Sequence, residues 1–215
     1  MSISGDILLP AAYFPPLSYF AHLLRARVIY IEQMETFPKQ TYRNRCEIMT
    51  ASGKTSLVVP VTKPQGNHTM TKDIEICYRE SWQEQHWKTI QAGYRSSPYF
   101  SYYADIILPL FESRQTLLLL HNHLILKTIF RLIGIDAAVK FTHDFVNEPA
   151  DMLDLRHELS PKNRQSKTVY LKYPQVFEHK TGFIADLSIL DLLFNMGPEA
   201  GRYLEGILNS WTVEH

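Results

Sequence analysis

Thr41-Tyr42-Arg43-Asn44-Arg45-Cys46-Glu47-Ile48-Met49 is the stretch on which the fold reading turns. Aromatic, apolar and polar residues alternate along it with the period of a strand. Ala51-Ser52-Gly53-Lys54 follows with turn chemistry, and Thr55 to Val61 reads as the returning strand. Working outward, Val28-Ile29-Tyr30-Ile31 and Ile74-Glu75-Ile76 are two more short β-type runs, and Lys63-Pro64-Gln65-Gly66-Asn67 is a further turn-prone link.

Past residue 80 the periodicity becomes helical. Ser81-Trp82-Gln83-Glu84 has the spacing of a capping box, and the helix it opens sets Trp82, His86, Ile90 and Tyr94 on one face. A second helix is expected over Tyr99 to Leu108, ended or kinked at Pro109. Leu117, Leu120, Leu124, Thr128 and Leu132 form a helical stripe that stops at Gly134. Asn147 to Tyr173 carries Pro149 and Pro161 with weak periodicity, so it reads as irregular structure, with Arg156, His157 and Lys162 as loop charges or the edge of a flap. Ser188-Ile189-Leu190-Asp191 is a second capping box, and Pro198 after Gly197 suits the first turn of a last helix. The expected fold class is α+β. A small, mostly antiparallel sheet from the N-terminal third packs against C-terminal helices in a single domain over 1–215, β-rich to residue 80 and helix-rich from 81 to 210.

With 45% hydrophobic and 20% charged residues over 215 positions, the chain has the balance of a globular protein able to fold without staples. Lys+Arg and Asp+Glu both total 22, which argues against a protein that wraps duplex nucleic acid. Two cysteines exclude a disulfide framework and a four-cysteine zinc site. His121 and His123, two apart on a helix, point away from each other and make a poor metal pair. Leu117 to Ile135 is apolar but interrupted by His121, Asn122, His123, Lys127 and Arg131, too polar for a membrane span. No basic start of a secretory signal is present. A cytoplasmic protein with no predicted metal or cofactor is the expectation. The absence of Gly-x-Gly-x-x-Gly, P-loop and Gly-x-Ser-x-Gly patterns removes support from dinucleotide enzymes, NTPases and α/β-hydrolases.

If residues 39–48 were one strand, Lys39, Thr41, Arg43, Arg45 and Glu47 would share a face. Three cations there suit a diphosphate or carboxylate, or else a solvated face with Glu47 as an ion-pair partner. Asn44 would fall on the other face and need a buried partner or a ligand. Cys46 reads either as a thiol nucleophile or as a small core residue. His86 is either a general base near neutral pH or a core histidine bonded to a backbone carbonyl. Asp186 is placed to orient a histidine or lysine, whereas Asp191 suits the third position of a helix. Tyr13-Phe14-Pro15-Pro16 and Tyr19-Phe20 either line a pocket for a sugar or base or fill the core.

Tyr13-Phe14-Pro15-Pro16, Tyr30-Ile31-Glu32-Gln33, Lys39 to Cys46, Val59-Pro60-Val61 and Lys72-Asp73-Ile74 together resemble the WbqC-like family of bacterial proteins. Trp82 with His86-Trp87, Tyr94 to Phe100, Gly182-Phe183 and Asp186 to Phe194 continue the resemblance in order to about Leu204. The family is associated with gene clusters for surface polysaccharides such as O-antigen. The resemblance therefore implies work on a nucleotide-linked sugar, in which an acyl or aminoacyl group is placed on an amino-sugar nitrogen, with an acyl or aminoacyl carrier protein as a candidate partner and the donor unknown. It also draws attention to Lys39, Asn44, Arg45, Lys72, His86 and Tyr94, which fall in its motifs. In that scheme His86 takes the amine proton, Lys39, Arg43 and Arg45 bind phosphate, and Asn44 donates to the oxyanion. The alternatives are a Cys46-dependent thiol enzyme and a non-catalytic scaffold in polysaccharide assembly.

Overall fold

Asp6-Ile7-Leu8-Leu9-Pro10 forms the first strand, β1 (Asp6–Pro10), and its apolar residues are buried. A run that is apolar on both faces is what the interior of a parallel sheet requires. The computed structural model describes residues 5–149, 151–157 and 170–212. After β1 come α1 (Leu17–Leu23), β2 (Val28–Glu32), and the hairpin β3 (Arg45–Thr50) and β4 (Gly53–Val58). The short pair β5 (Val61–Thr62) and β6 (Glu75–Ile76) follows, then helices α2 (Trp82–Tyr94), α3 (Phe100–Glu112) and α4 (Leu118–Ile133). Strands β7 (Ala138–Phe141) and β8 (Met152–Asp154) precede α5 (Glu178–Thr181), α6 (Ile189–Met196) and α7 (Ala200–Thr212).

The main sheet has the order β7-β2-β1-β8, and all its pairings are parallel. This corrects the expected mostly antiparallel sheet, which survives only in the pairs β3-β4 and β5-β6. Helix and strand are both present as expected, but β1 joins β2 through a helical crossover, as parallel neighbours require. From β1 the chain moves outward through β2 to β7, then returns to the opposite side of β1 as β8. Sheets of this kind bind ligands outside the carboxyl ends of the strands at that reversal.

The strand expected from residue 39 begins only at Arg45; residues 39–44 are bend and turn, and Gln40 has a φ of 59°. The turn brings the Asn44 amide to the Val59 carbonyl at 2.9 Å, while the Asn44 carbonyl accepts the Val59 N–H at 2.8 Å. Those two bonds register the hairpin. Pro109 lies inside α3 instead of ending it. α4 stops at Gly134 with a φ of 75°, the left-handed cap the sequence predicts. Its expected stripe is not the buried face: Leu120 and Leu124 are exposed, while Leu118, Leu119, His121, Asn122, Ile125 and Ile129 are buried. Ser81 does not cap α2, and Glu84 pairs instead with Lys88. Ser188 does cap α6, accepting the Leu190 N–H. α6 is buried from Ile189 to Asn195 and packs against α1, α3 and α7. No helix among the described residues is long and apolar enough to cross a membrane.

A buried ion network closes the carboxyl ends of the strands. Glu32, wholly buried at the end of β2, accepts from the Met34 N–H, Thr142 Oγ1, the Val146 N–H and Arg156 Nη1. Arg156 also forks onto Asp154 at the end of β8 and lies 5.1 Å from the Phe145 ring centroid. Arg156 is therefore a structural cation rather than a loop charge. Lys162 lies outside the described residues.

Candidate functional site

The loop leaving β1 turns at Phe14, whose φ of 39° is a left-handed value that a bulky residue adopts only under restraint. The restraint is visible. Ser188 Oγ donates to the Phe14 carbonyl at 2.9 Å, and the Phe14 ring stacks on Phe111 at 5.5 Å. The turn delivers Tyr13, fully buried, from the carboxyl end of β1 to the His86 face of α2.

The Tyr13 hydroxyl lies 2.9 Å from His86 Nδ1. In the tautomer that carries its proton on Nε2, Nδ1 holds the lone pair and Tyr13 donates to it. Burial, with a smaller contribution from His121, lowers the His86 pKa to about 4, so the imidazole is neutral at pH 7. Burial likewise holds the Tyr13 phenol protonated.

Two further rings complete a cage. His121 stacks on Tyr13 with centroids 6.0 Å apart, and Trp82 sits edge-on to both His86 and His121, at 5.1 and 5.9 Å. His121 is wholly buried and its pKa is also lowered to about 4 by desolvation. Neither of its ring nitrogens has a hydrogen-bond partner, and neither does Trp82 Nε1. Each buried unpaired polar group costs about 1–3 kcal/mol, which an apolar ring at the same place would avoid. Beside them Asn122 Nδ2 donates to the Arg43 carbonyl at 2.8 Å, leaving Asn122 Oδ1 and His123 Nδ1 unpaired. A cavity of about 10 Å³ lined by Asn122 and His123 has room for one water that would satisfy both. Trp82 and His121 do not line it.

A cleft of about 590 Å³ lies between the start of α2 and the end of α3; Tyr78 lines it and stands between it and the cage, its ring 6.0 Å from Trp82. Tyr78, Trp87 and Phe111 supply its aromatic wall, and Glu80, Glu112 and Arg114 its charges. That volume suits one or two sugar rings.

The other sequence candidates take separate places. Arg43, 3% exposed, is held in a bidentate pair with Glu35 at 2.7 Å for both contacts, so its charge is satisfied inside the protein. Asn44 spends its amide on Val59, the donor that the expected oxyanion role would have used. Arg45 is the register partner of Val58, beside His86, and its Nε is buried without a partner. Lys39 is exposed and Lys72 half-buried on the segment whose N–H bonds Gln33, just past β2. The Tyr94 hydroxyl accepts the Met49 N–H at 2.9 Å, bracing β3 on α2. Asp186 accepts the Ser18 N–H and hydroxyl at 2.8 and 2.9 Å, capping α1; burial raises its pKa. Asp191 accepts from Tyr173 and Gln175 at 2.5 and 2.8 Å, and burial raises its pKa too.

Cys46, 1% exposed, faces the core beside Ser188, and burial raises its thiol pKa well above the ordinary range. Iodoacetamide is expected to leave Cys46 unmodified in native protein and to label it only after denaturation, read by peptide mass. Native labelling at Cys46 would revive the thiol mechanism.

Of the expected residues, then, the fold brings His86 against the loop that leaves β1 and Arg45 to the neighbouring hairpin. Tyr13, Trp82 and His121 complete the group. Tyr13 and Trp82 were legible as an aromatic loop and a helix face. His121 was visible only as a polar interruption of an apolar helix. Among the described residues no group of three or more His, Cys, Asp or Glu side chains is arranged to hold a metal ion.

Residues 11–169 match the WbqC-like protein family. The uncharacterized protein Rv1507c of Mycobacterium tuberculosis (strain ATCC 25618 / H37Rv) is 25% identical over 217 residues, spanning 89% of this chain and 94% of that protein. No solved structure matches.

Proposed function

The chain belongs to the WbqC-like protein family, and from that premise we propose that it is a group-transfer enzyme that places an acyl or aminoacyl group on the amine of a nucleotide-linked amino sugar. The observation that carries the reading is the 2.9 Å contact between Tyr13, on the loop that leaves β1, and a neutral His86. The acceptor amine attacks the acyl carbonyl while the Tyr13 oxygen takes the amine proton and passes its own to His86 Nδ1. Collapse of the tetrahedral intermediate breaks the bond to the donor's leaving group, which receives the proton back by the same path. The aromatic cleft, with the carboxylates of Glu80 and Glu112, favours a sugar that arrives with a protonated amine, which releases one proton to solvent before the neutral amine attacks. With Arg43 paired to Glu35, Lys39, Arg45 and Lys72 are the expected cations that remain for the diphosphate.

The test incubates purified protein with nucleotide amino sugars and acyl-coenzyme A or acyl and aminoacyl carrier donors, and reads the mass of the sugar. Tyr13→Phe is expected to reduce kcat by about 10²–10⁴-fold with KM little changed. Full turnover in that variant would reject the relay. Failure of every donor and acceptor combination would favour the scaffold reading.

A further inference from the structure

We infer that the indole N–H of Trp82 and the imidazole of His121 form a donor site for one negatively charged oxygen of the ligand, either a carboxylate oxygen or the oxyanion a carbonyl becomes during transfer. The inference rests on the group-transfer reading for its chemistry but not for its geometry. Trp82 Nε1 is a donor with no other capacity, and a neutral imidazole supplies one N–H and one lone pair. All three nitrogens are buried and unpartnered, on rings 5.9 Å apart that share the Tyr13 and His86 cage. Two unpaired groups from different helices, α2 and α4, therefore lie side by side next to the Tyr13–His86 contact. The remaining His121 nitrogen is left to accept an N–H of the same ligand, which fits an aminoacyl group better than a simple acyl group.

Donors already fixed in a water-excluded cage need no reorganisation as charge develops on oxygen, which is the property an oxyanion site requires. The arrangement also explains why the Asn44 amide is free to brace the hairpin. A structural role for these two side chains would predict the opposite pattern, with their polar atoms bonded to carbonyls of the core, as Asn122 and Tyr94 are bonded to backbone groups.

The experiment follows the Trp82 indole proton in protein labelled with ¹⁵N-tryptophan, the resonance being assigned with Trp82→Phe. Sodium acetate and sodium glycinate are titrated against sodium chloride at matched ionic strength. Expected is a saturable downfield shift with either carboxylate and none with chloride, with glycinate the tighter. His121→Phe should weaken the binding by about 10- to 100-fold. His121→Gln, which keeps a donor and an acceptor, should retain most of it, so a folding failure of the phenylalanine variant leaves the test intact. An unmoved indole proton, the same shift with chloride, or undiminished affinity in both His121 variants would overturn the site. Transfer at wild-type kcat in Trp82→Phe would remove the donor role while leaving the transfer reading standing. A carboxylate-induced indole shift in protein that transfers nothing would do the reverse.

Discussion

Replacing Arg156 by methionine is expected to lower the unfolding free energy by about 3–5 kcal/mol at neutral pH, the usual cost of stranding one member of a buried ion pair. Glu32 has 0% side-chain exposure and Arg156 3%, and they meet at 3.1 Å. Without the guanidinium, Glu32 keeps its bonds from Met34, Thr142 and Val146 but loses its one buried counter-charge among the described residues. Asp154, 27% exposed, loses less because water reaches it. The double variant Glu32→Gln with Arg156→Met should recover most of the loss, because replacing a buried pair by neutral groups is often nearly neutral. Urea unfolding of the two single variants and the double variant gives the coupling directly. A single-variant loss below about 1 kcal/mol would mean that solvent reaches Glu32 once the arginine is gone. The same network ties Thr142, Val146 and Arg156 to the end of β2.

Local chemistry decided which parts of this architecture the sequence announces. The β3-β4 hairpin is announced by its two-residue loop and its alternation, and α4 by its glycine cap, because both depend on neighbours a few residues away. The parallel sheet depends on partners far apart: Ile29 pairs with Ile7 on one side and with Val139 on the other. Its edge strands are three and four residues long, too short to show a period. β1 is five residues ending in proline, and nothing local says that it lies at the centre.

The site was legible to the same degree. The turn at residues 40–44 defeats the alternation argument, and with it the three-cation face. Arg43 turns inward to Glu35 while Lys39 stays at the surface. His86 was legible because it lies among Trp82, Ile90 and Tyr94, all buried on one helical face. His121 was not, because α4 carries leucine or isoleucine on more than one side and the stripe through Leu120 and Leu124 competes with the face that holds His121. Only the fold shows that Leu120 and Leu124 lie outside and His121 inside.

That inside position has a measurable consequence in acid. Stability is expected to fall steeply between pH 6.5 and about 4. His22, His86 and His121 each have a pKa lowered from 6.5 to about 4, with desolvation as the leading cause. A depressed pKa in the folded state means that the unfolded chain binds protons first. Above pH 6.5 neither state is protonated at these sites and their contribution is fully present. As pH falls the unfolded state gains protons that the fold refuses, and the difference is complete once the folded pKa is passed. A shift of this size corresponds to roughly 3 kcal/mol per histidine, with His86 and His121 titrating as an interacting pair. Asp186 and Asp191 act in the opposite sense, since burial raises their pKa and the fold takes up their protons before the unfolded chain does. Their effect offsets part of the loss at the acid end of the window. Urea midpoints taken from pH 7.5 to 4.5 should therefore drop most between 6.5 and 5, and His121→Phe should flatten that drop by several tenths of its depth or more. The same variant should be no less stable than wild type at pH 7.5, because it removes two unpaired buried nitrogens and leaves a ring in their place. A profile that stays flat to pH 4.5 would mean that the buried imidazoles accept protons inside the fold. The neutral His86 on which the Tyr13 relay depends would then be the wrong species.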